Sequence, residues 1–413
     1  MRDGQRFSCL LLKKADLPLE VALLLIAGMT MLIAGILLFP VSAGALPFYE
    51  NGLYGLFLFI IALQIVTLGK TPFGDLRRSG LILALGVNVA AVGIVTCFVP
   101  DIFSRLPRTM LCISLGPGAF LLLLQMCVAR GKLRIWIREG GFFRHLIAAC
   151  SMVYLLSMAF ALIIWKQSLP ATPVTAIVAL LSGAAVVYLA FVLRKIYGMY
   201  PEAERPGIRD GGLSTDQALI LLTGIFMLLL GVLLIPVSLG LLPFAGSAQL
   251  GLLMVIFAVQ MLASGNTPIG PYPRSWLLIL SGLSCAALGI ISCIIPGILV
   301  RHLTALIGIF NILGGILTLW KTGIPRLRKP GAPDSPEPPV LKKLFAAQLI
   351  MSLLSILFGI SMFASTLIPG PVIGAILAAN GCVLLYLVRI IVLLDRIHPA
   401  QAPEPDNAEP HGQ

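Results

Sequence analysis

Few side chains in this sequence combine a reactive type with a setting that would let them act. Gln64 and Gln260 each stand inside a long apolar stretch, about one and a half turns from one end of it, and Asn88, Asn311 and Asn380 are further amides within such stretches. An amide among apolar residues can line a path for a polar solute. More often it hydrogen-bonds to a neighbouring helix, worth about 0.6–2 kcal/mol, and that is the reading favoured for all five. Arg389 is the one ionisable residue well inside an apolar stretch, close enough to its end for the guanidinium to reach lipid phosphates. Glu20 and Asp216 open two of the stretches. Proton coupling is one role for such acids, but stabilising the positive end of a helix dipole needs less from their surroundings.

Other chemistries are excluded by what the residues lack. Gly69-Lys70-Thr71 suggests a phosphate-binding loop, but that motif requires a glycine where Gln64 stands and a strand before it. Of eight cysteines, Cys97, Cys112, Cys127, Cys150, Cys285, Cys293 and Cys382 lie in apolar stretches, only Cys9 lies outside, and no Cys-x-x-Cys occurs. Neither a disulfide framework nor a zinc site is expected, and the cysteines read as small packing residues. His145, His302, His398 and His411 lie at the ends of stretches or in the tail, which excludes a haem held between helices by paired histidines. No catalytic residue, metal or cofactor is expected.

The elements that must position these side chains follow from composition. The chain has 413 residues, 58% apolar and 11% charged, with a mean hydropathy of +1.01. Water-soluble domains carry more than twice that share of charge, and disordered chains are far less apolar. Twelve stretches, near 19–40, 52–69, 80–100, 109–129, 146–166, 171–195, 215–236, 248–265, 276–299, 303–320, 344–368 and 370–394, are long enough to cross a hydrocarbon layer as helices. They have twice the length of barrel strands and none of their alternation, and a helix satisfies its own backbone hydrogen bonds in lipid. The fold class is therefore all-α, a polytopic membrane bundle of about twelve helices. The first stretch exceeds the length of a signal-peptide core and is read as a retained span.

The net charge of +12 needs no nucleic-acid partner. With the N-terminus in the cytoplasm, 25 of the 29 Lys and Arg residues fall on that side, leaving Arg105, Arg108, Lys166 and Arg301 opposite. This asymmetry predicts both termini in the cytoplasm, an inner or plasma membrane location, and anionic lipid as the partner of the cytoplasmic face.

The strongest signal is internal. Shifted by 196 residues, Leu17–Ile102 overlays Leu213–Ile298 without a gap, and 37 of the 86 pairs are identical. The expected organisation is a cytoplasmic segment 1–18, a six-span repeat 19–200, a linker 201–212, a second six-span repeat 213–398 with a Pro-rich cytoplasmic loop 325–340, and a disordered tail 399–413. An even span count sets both repeats in the same orientation. Two loop motifs recur. Pro40-Val41-Ser42-x-Gly44 returns as Pro236-Val237-Ser238-x-Gly240, and Gly69-x-Thr71-Pro72-x-Gly74-x3-Arg78-Ser79 returns as Gly265-x-Thr267-Pro268-x-Gly270-x3-Arg274-Ser275. Gates or ligand contacts are one reading of them; turn and capping chemistry is the favoured one. Gly370, Gly374, Ala378 and Cys382 form a helix-packing stripe, and Gly116-Pro117-Gly118 should kink the fourth span. Arg130 to Arg144, with Trp136, reads as a basic segment at the membrane surface.

The stretch Arg274-Ser275-Trp276-Leu277-Leu278, followed by Gly282, Gly289 and Pro296, resembles the hairpins of HdeD-like acid-resistance membrane proteins. Those are six-span proteins, so the resemblance implies two such units fused in tandem, a bacterial inner-membrane protein linked to stress tolerance, and no catalytic residues to carry over. The molecular activity itself is unknown, and the alternative is a secondary transporter with its site between two six-helix halves. Asp75-Leu76-Arg77-Arg78 faintly resembles a loop of major facilitator transporters, but Pro271-Tyr272-Pro273-Arg274 loses the acid in the second repeat. A polar cavity between the halves would support transport, and a dry seam would speak against it. The same-orientation repeat makes a direct prediction: reporter fusions placed at Gly44 and at Gly240 signal the same, non-cytoplasmic face, and opposite signals would refute it.

Overall fold

The computed structural model describes residues 15, 17–75, 79–128, 141–166, 173–200, 213–328, 339–364 and 368–397. Among them twelve helices are long and apolar enough to cross a membrane, and the protein is an integral membrane bundle. The first half contains α1 (Leu19–Ser42), α2 (Glu50–Leu68), α3 (Gly80–Phe98), α4 (Leu106–Val128), α5 (Phe142–Lys166) and α6 (Pro173–Met199). The second contains α7 (Thr215–Ser238), α8 (Gly246–Ser264), α9 (Trp276–Ile294), α10 (Val300–Arg328), α11 (Pro339–Phe363) and α12 (Gly370–Ile397).

Local chemistry sets where the helices begin and end. Ser79 and Ser275 cap α3 and α9 by accepting the backbone N–H of Ile82 and Leu278. Ser214 and Gln217 form a reciprocal capping box at the start of α7. The first repeated loop motif is a helix stop. Gly44 and Gly240 take φ of +72° and +74° just past α1 and α7. The bonds around them are Gly44 N to Val41 O (2.9 Å) with Ala45 N to Pro40 O (2.9 Å), and Gly240 N to Val237 O (2.9 Å) with Leu241 N to Pro236 O (3.0 Å). That pair of bonds satisfies carbonyls the helix leaves open, and it needs a residue tolerant of positive φ at the glycine position.

Helices α2 and α8 form the centre, 78% and 89% buried along their apolar cores, whereas α4 and α5 are only 22% buried. Within the halves the tightest pairs are α1 with α6, α2 with α3, α7 with α12, α8 with α9 and α10 with α11. Small residues permit these approaches: Gly28 and Gly35 face Gly183 and Ala176, and Gly231 faces Gly374 and Ala378. Of the expected stripe on α12, Gly370 meets Ser238, but Cys382 is exposed and the adjacent Gly381 packs against Leu228 in its stead.

The halves meet through their first three helices, α1, α2 and α3 against α7, α8 and α9. Two reciprocal backbone bonds fix the seam, Tyr49 N to Ile294 O and Ala245 N to Phe98 O, each 2.9 Å and joining positions 196 residues apart on both sides. Beside them Phe98 meets Phe226 edge-to-face at 5.5 Å. Ala15 N also reaches Arg274 O at 3.2 Å, pinning the chain ahead of α1 to the second half.

Three expectations need adjustment. The kink at Gly116-Pro117-Gly118 is a five-residue π-helical turn, Ser114–Gly118, dividing α4. The loops after α2 and α8 hold short antiparallel pairs, β1 (Lys70–Thr71) with β2 (Gly74–Asp75) and β3 (Asn266–Thr267) with β4 (Gly270–Pro271). Helix α10 continues through Pro325 to Arg328 and α11 begins at Pro339, so the expected loop 325–340 is shorter at both ends. A proline at the first helical position forfeits no bond, which suits Pro339 to that place. Residues 329–338, the linker 201–212, the tail 399–413, most of segment 1–18 and most of the basic segment from Arg130 lie outside the described residues.

The seam predicts a contrast between two glycines. A Cβ added to Gly52 would collide with the Cys293 carbonyl oxygen, while Gly80 faces open space. Gly52→Ala is expected to lower stability by about 1–3 kcal/mol. Gly80→Ala is expected to raise it by about 0.4–1 kcal/mol. Unfolding of each variant in detergent by SDS titration checks both signs.

Candidate functional site

The amide Gln260 lies on the seam. Phe59 and Leu63 from α2, Leu219, Leu222 and Thr223 from α7, and Ile256, Val259 and Gln260 from α8 line a cavity of about 10 Å³. That is room for about one water molecule. Gln260 Nε2 donates to Thr223 Oγ1 at 2.9 Å, and the Thr223 hydroxyl donates to its own helix at Leu219 O, 2.8 Å. The amide therefore joins α8 to α7, the helix-bridging role favoured for it. Gln64 differs. The residue corresponding to Thr223 in the first half is Ala27, which has no hydroxyl to offer. Gln64 is half-buried and has no side-chain hydrogen bond among the described residues.

The three asparagines are not brought together. Asn311 on α10 accepts from Ser355 of α11 at 3.1 Å and donates to Ile307 O at 2.9 Å, again bridging helices. Asn88 points out of the bundle from the middle of α3, its amide turned back onto Ala84 O at 2.8 Å, so it bridges nothing. Asn380 is 6% exposed on α12, and its Oδ1 accepts no hydrogen bond among the described residues.

The second repeated motif folds into the two hairpins. Thr71 Oγ1 donates to Gly74 O and Thr267 Oγ1 to Gly270 O, both at 2.7 Å, and each threonine also accepts a backbone N–H of its own turn. Pro72 and Pro268 occupy the first corner position, where a fixed φ is an advantage. Each hairpin then presses on a glycine of a peripheral helix: Pro72 O lies against Gly118 of α4, and Pro268 O against Gly314 of α10. Gln125 Nε2 donates to Phe73 O at 3.1 Å, fastening the first hairpin to α4. Arg274 donates to Ala263 O in the last turn of α8, a cation at the negative end of a helix. Its counterpart Arg78 lies outside the described residues. These loops are clamps that seat α4 and α10.

The acids diverge. Asp216 is exposed in the first turn of α7. Glu20 instead pairs with Lys70 and accepts from the Tyr197 hydroxyl at 2.7 Å, tying α1 to the first hairpin and to α6. Asn266 stands where the second half would need the lysine. Sequence reasoning missed this cluster, although the paired changes Glu20/Asp216 and Lys70/Asn266 were its available signal. It also missed Arg194, whose guanidinium stacks 4.6 Å from the Trp276 ring across the halves, and Arg108, which donates to the Ile164 and Trp165 carbonyls at 2.8 Å and caps α5. Arg389 is exposed on α12, consistent with a side chain reaching toward the membrane surface. Outside the spans, burial pushes the Tyr49 phenol well above its ordinary range, so it remains an O–H donor to Cys97 O, 3.2 Å away.

Compared with known proteins, the chain matches no family model, no curated protein and no solved structure.

The asymmetry of the two glutamines is measurable. In a double-mutant cycle, Gln260→Leu and Thr223→Val should show a coupling of about 0.6–1.7 kcal/mol. Gln64→Leu should shift stability by less than about 0.5 kcal/mol. Equal effects of the two glutamine substitutions would contradict the assignment.

Proposed function

We propose that this chain is a non-enzymatic membrane protein of the stress-tolerance type, held in a cell membrane with both termini on the cytoplasmic side. The observation that carries the reading is the closed seam. The cavity found between the halves among the described residues, the natural place for a solute site, is lined mostly by apolar side chains and has room for about one water. The resemblance of the α9 hairpin to HdeD-like proteins supports the same reading. The excess of Lys and Arg in the segments that the sequence assigns to the cytoplasmic side supports the orientation and contact with anionic lipid there.

A transporter reading has one observation in its favour. Gln260 and Thr223 place a polar pair on the cavity, and a seam that opens would expose them. The two readings part experimentally. A strain deleted for the gene is expected to survive acid challenge poorly, with survival restored by the wild-type chain and equally by a Gln64→Leu, Gln260→Leu double variant. Proteoliposomes are expected to show no solute flux above protein-free vesicles. Flux abolished by the double variant, together with normal acid survival of the deletion strain, would overturn the proposal in favour of transport.

A further inference from the structure

Two glycines fix the rotation of α3. Gly86 lies against Ile65 and Val66, and Gly93 against Gly55 and Phe59, so one face of the helix is pressed onto α2. Asn88 follows Gly86 by two positions, about 200° round a helix that turns about 100° per residue. It therefore faces away from α2, and its side chain is exposed. It also lies at mid-depth, about 12 Å past Gly80 and about 15 Å before Phe98. So short a side chain reaches neither membrane surface, where longer ones find water or a headgroup.

A carboxamide has two N–H donors and a carbonyl that accepts. Asn88 uses one N–H on Ala84 O at 2.8 Å and makes no other hydrogen bond among the described residues. Hydrocarbon offers nothing to the second N–H or to the carbonyl oxygen, and leaving them unpaired there is costly. Leu81, Ala84 and Leu85 precede the amide on the same side of α3, and all three are exposed, Leu81 to 78%. Positions i, i+3, i+4 and i+7 form one stripe of a helix, the geometry of a seam between paired helices.

The second half supplies a contrast. At the equivalent places on α9 stand Leu277, Leu280, Ser281 and Ser284. Ser284 is exposed too, but its one hydroxyl proton goes to Leu280 O of its own helix at 2.9 Å. Leu280 also puts a branched side chain where α3 has only the methyl of Ala84, which holds a neighbouring helix further off.

We propose that the outer face of α3 is a homodimer interface, in which Asn88 of one copy pairs with Asn88 of a second copy across a two-fold axis along the membrane normal. A carboxamide complements itself. The free N–H of each donates to the carbonyl oxygen of the other, so one contact satisfies all four open groups. Copies inserted in the same sense carry Asn88 at the same depth, and a two-fold contact brings a residue near the axis to its own counterpart. Ala84 lets the two helices approach, and Leu81 and Leu85 pack around the amides. A second copy is favoured over lipid as the occupant because an acyl chain would leave both amides unpaired.

The test uses the full-length chain, labelled at its N-terminus with a donor or an acceptor dye and reconstituted together in liposomes. Energy transfer is read as added lipid dilutes the protein, and it is expected to fall along a monomer–dimer curve. Asn88→Leu should weaken association about 3–30-fold, the worth of one interhelical amide bond in lipid. Ala84→Phe should weaken it at least as much, and Asn88→Gln should keep most of it. Ser284→Leu, the matching change on α9, should leave the curve where it was. These substitutions lie at exposed positions, so each variant keeps the helical fold, which circular dichroism checks. A single added cysteine locates the contact. Under mild oxidation Leu81→Cys should form a dimer, reversed by dithiothreitol, above the background of the native cysteines, and Leu277→Cys should not. A chain that stays monomeric at every dilution, a dimer unmoved by both Asn88→Leu and Ala84→Phe, or equal cross-linking from Leu277→Cys would overturn the proposal.

Discussion

Hydrocarbon offers no partner to an unpaired N–H or C=O, so the backbone polar groups of a spanning chain must be satisfied by the chain itself. This constraint shapes the whole bundle. Helices close their own ladders, and serine or glycine caps settle the groups at several of their ends. Where segments meet outside a helix, the bonds are again internal. The Tyr49–Ile294 and Ala245–Phe98 bonds join loop backbone of one half to a helix end of the other, and in doing so they fix the register of the seam. Between helices there is no gain from leaving water, so the association rests on close packing at Gly28, Gly231 and their partners.

The two halves share a frame and differ in its fittings. The frame consists of caps, the hairpin that leans on Gly118 or Gly314, the Cys97 and Cys293 thiols on the Gly52 and Ala248 carbonyls, and the reciprocal bonds, all recurring at positions 196 apart. The fittings are the charged and polar contacts. Gln260 has Thr223 where the first half has Ala27, and Glu20 has Lys70 where the second half has Asn266. Trp276 receives Arg194 where Gly80 has no side chain at all. Backbone geometry tolerates little change in a close-packed bundle. A hydrogen bond between two side chains needs both partners, and one substitution removes it.

Both repeated loop motifs build turns that position helices. Their recurrence invites a functional reading, but glycine at positive φ and proline at a turn corner are demanded by the backbone wherever the same turn is built twice. The intramembrane amides divided by neighbour. Gln260 and Asn311 found partners on adjacent helices, Asn88 turned onto its own helix, and the Asn380 carbonyl found none among the described residues.

The sequence alone determined the class of protein and the number of helices, because a run of about twenty apolar residues has one stable form in lipid. It also determined the serine caps at Ser79 and Ser275 and the helix stops at Gly44 and Gly240, since these depend on residues within one turn of each other. Tertiary structure alone decided which helices form the seam, which amides meet, and that Glu20 reaches Lys70 and Tyr197. Those contacts join residues tens to hundreds of positions apart on faces that are apolar nearly all round. A helix with no polar face carries no mark of which side will meet a neighbour and which will meet lipid, so its rotation is settled only when the bundle packs.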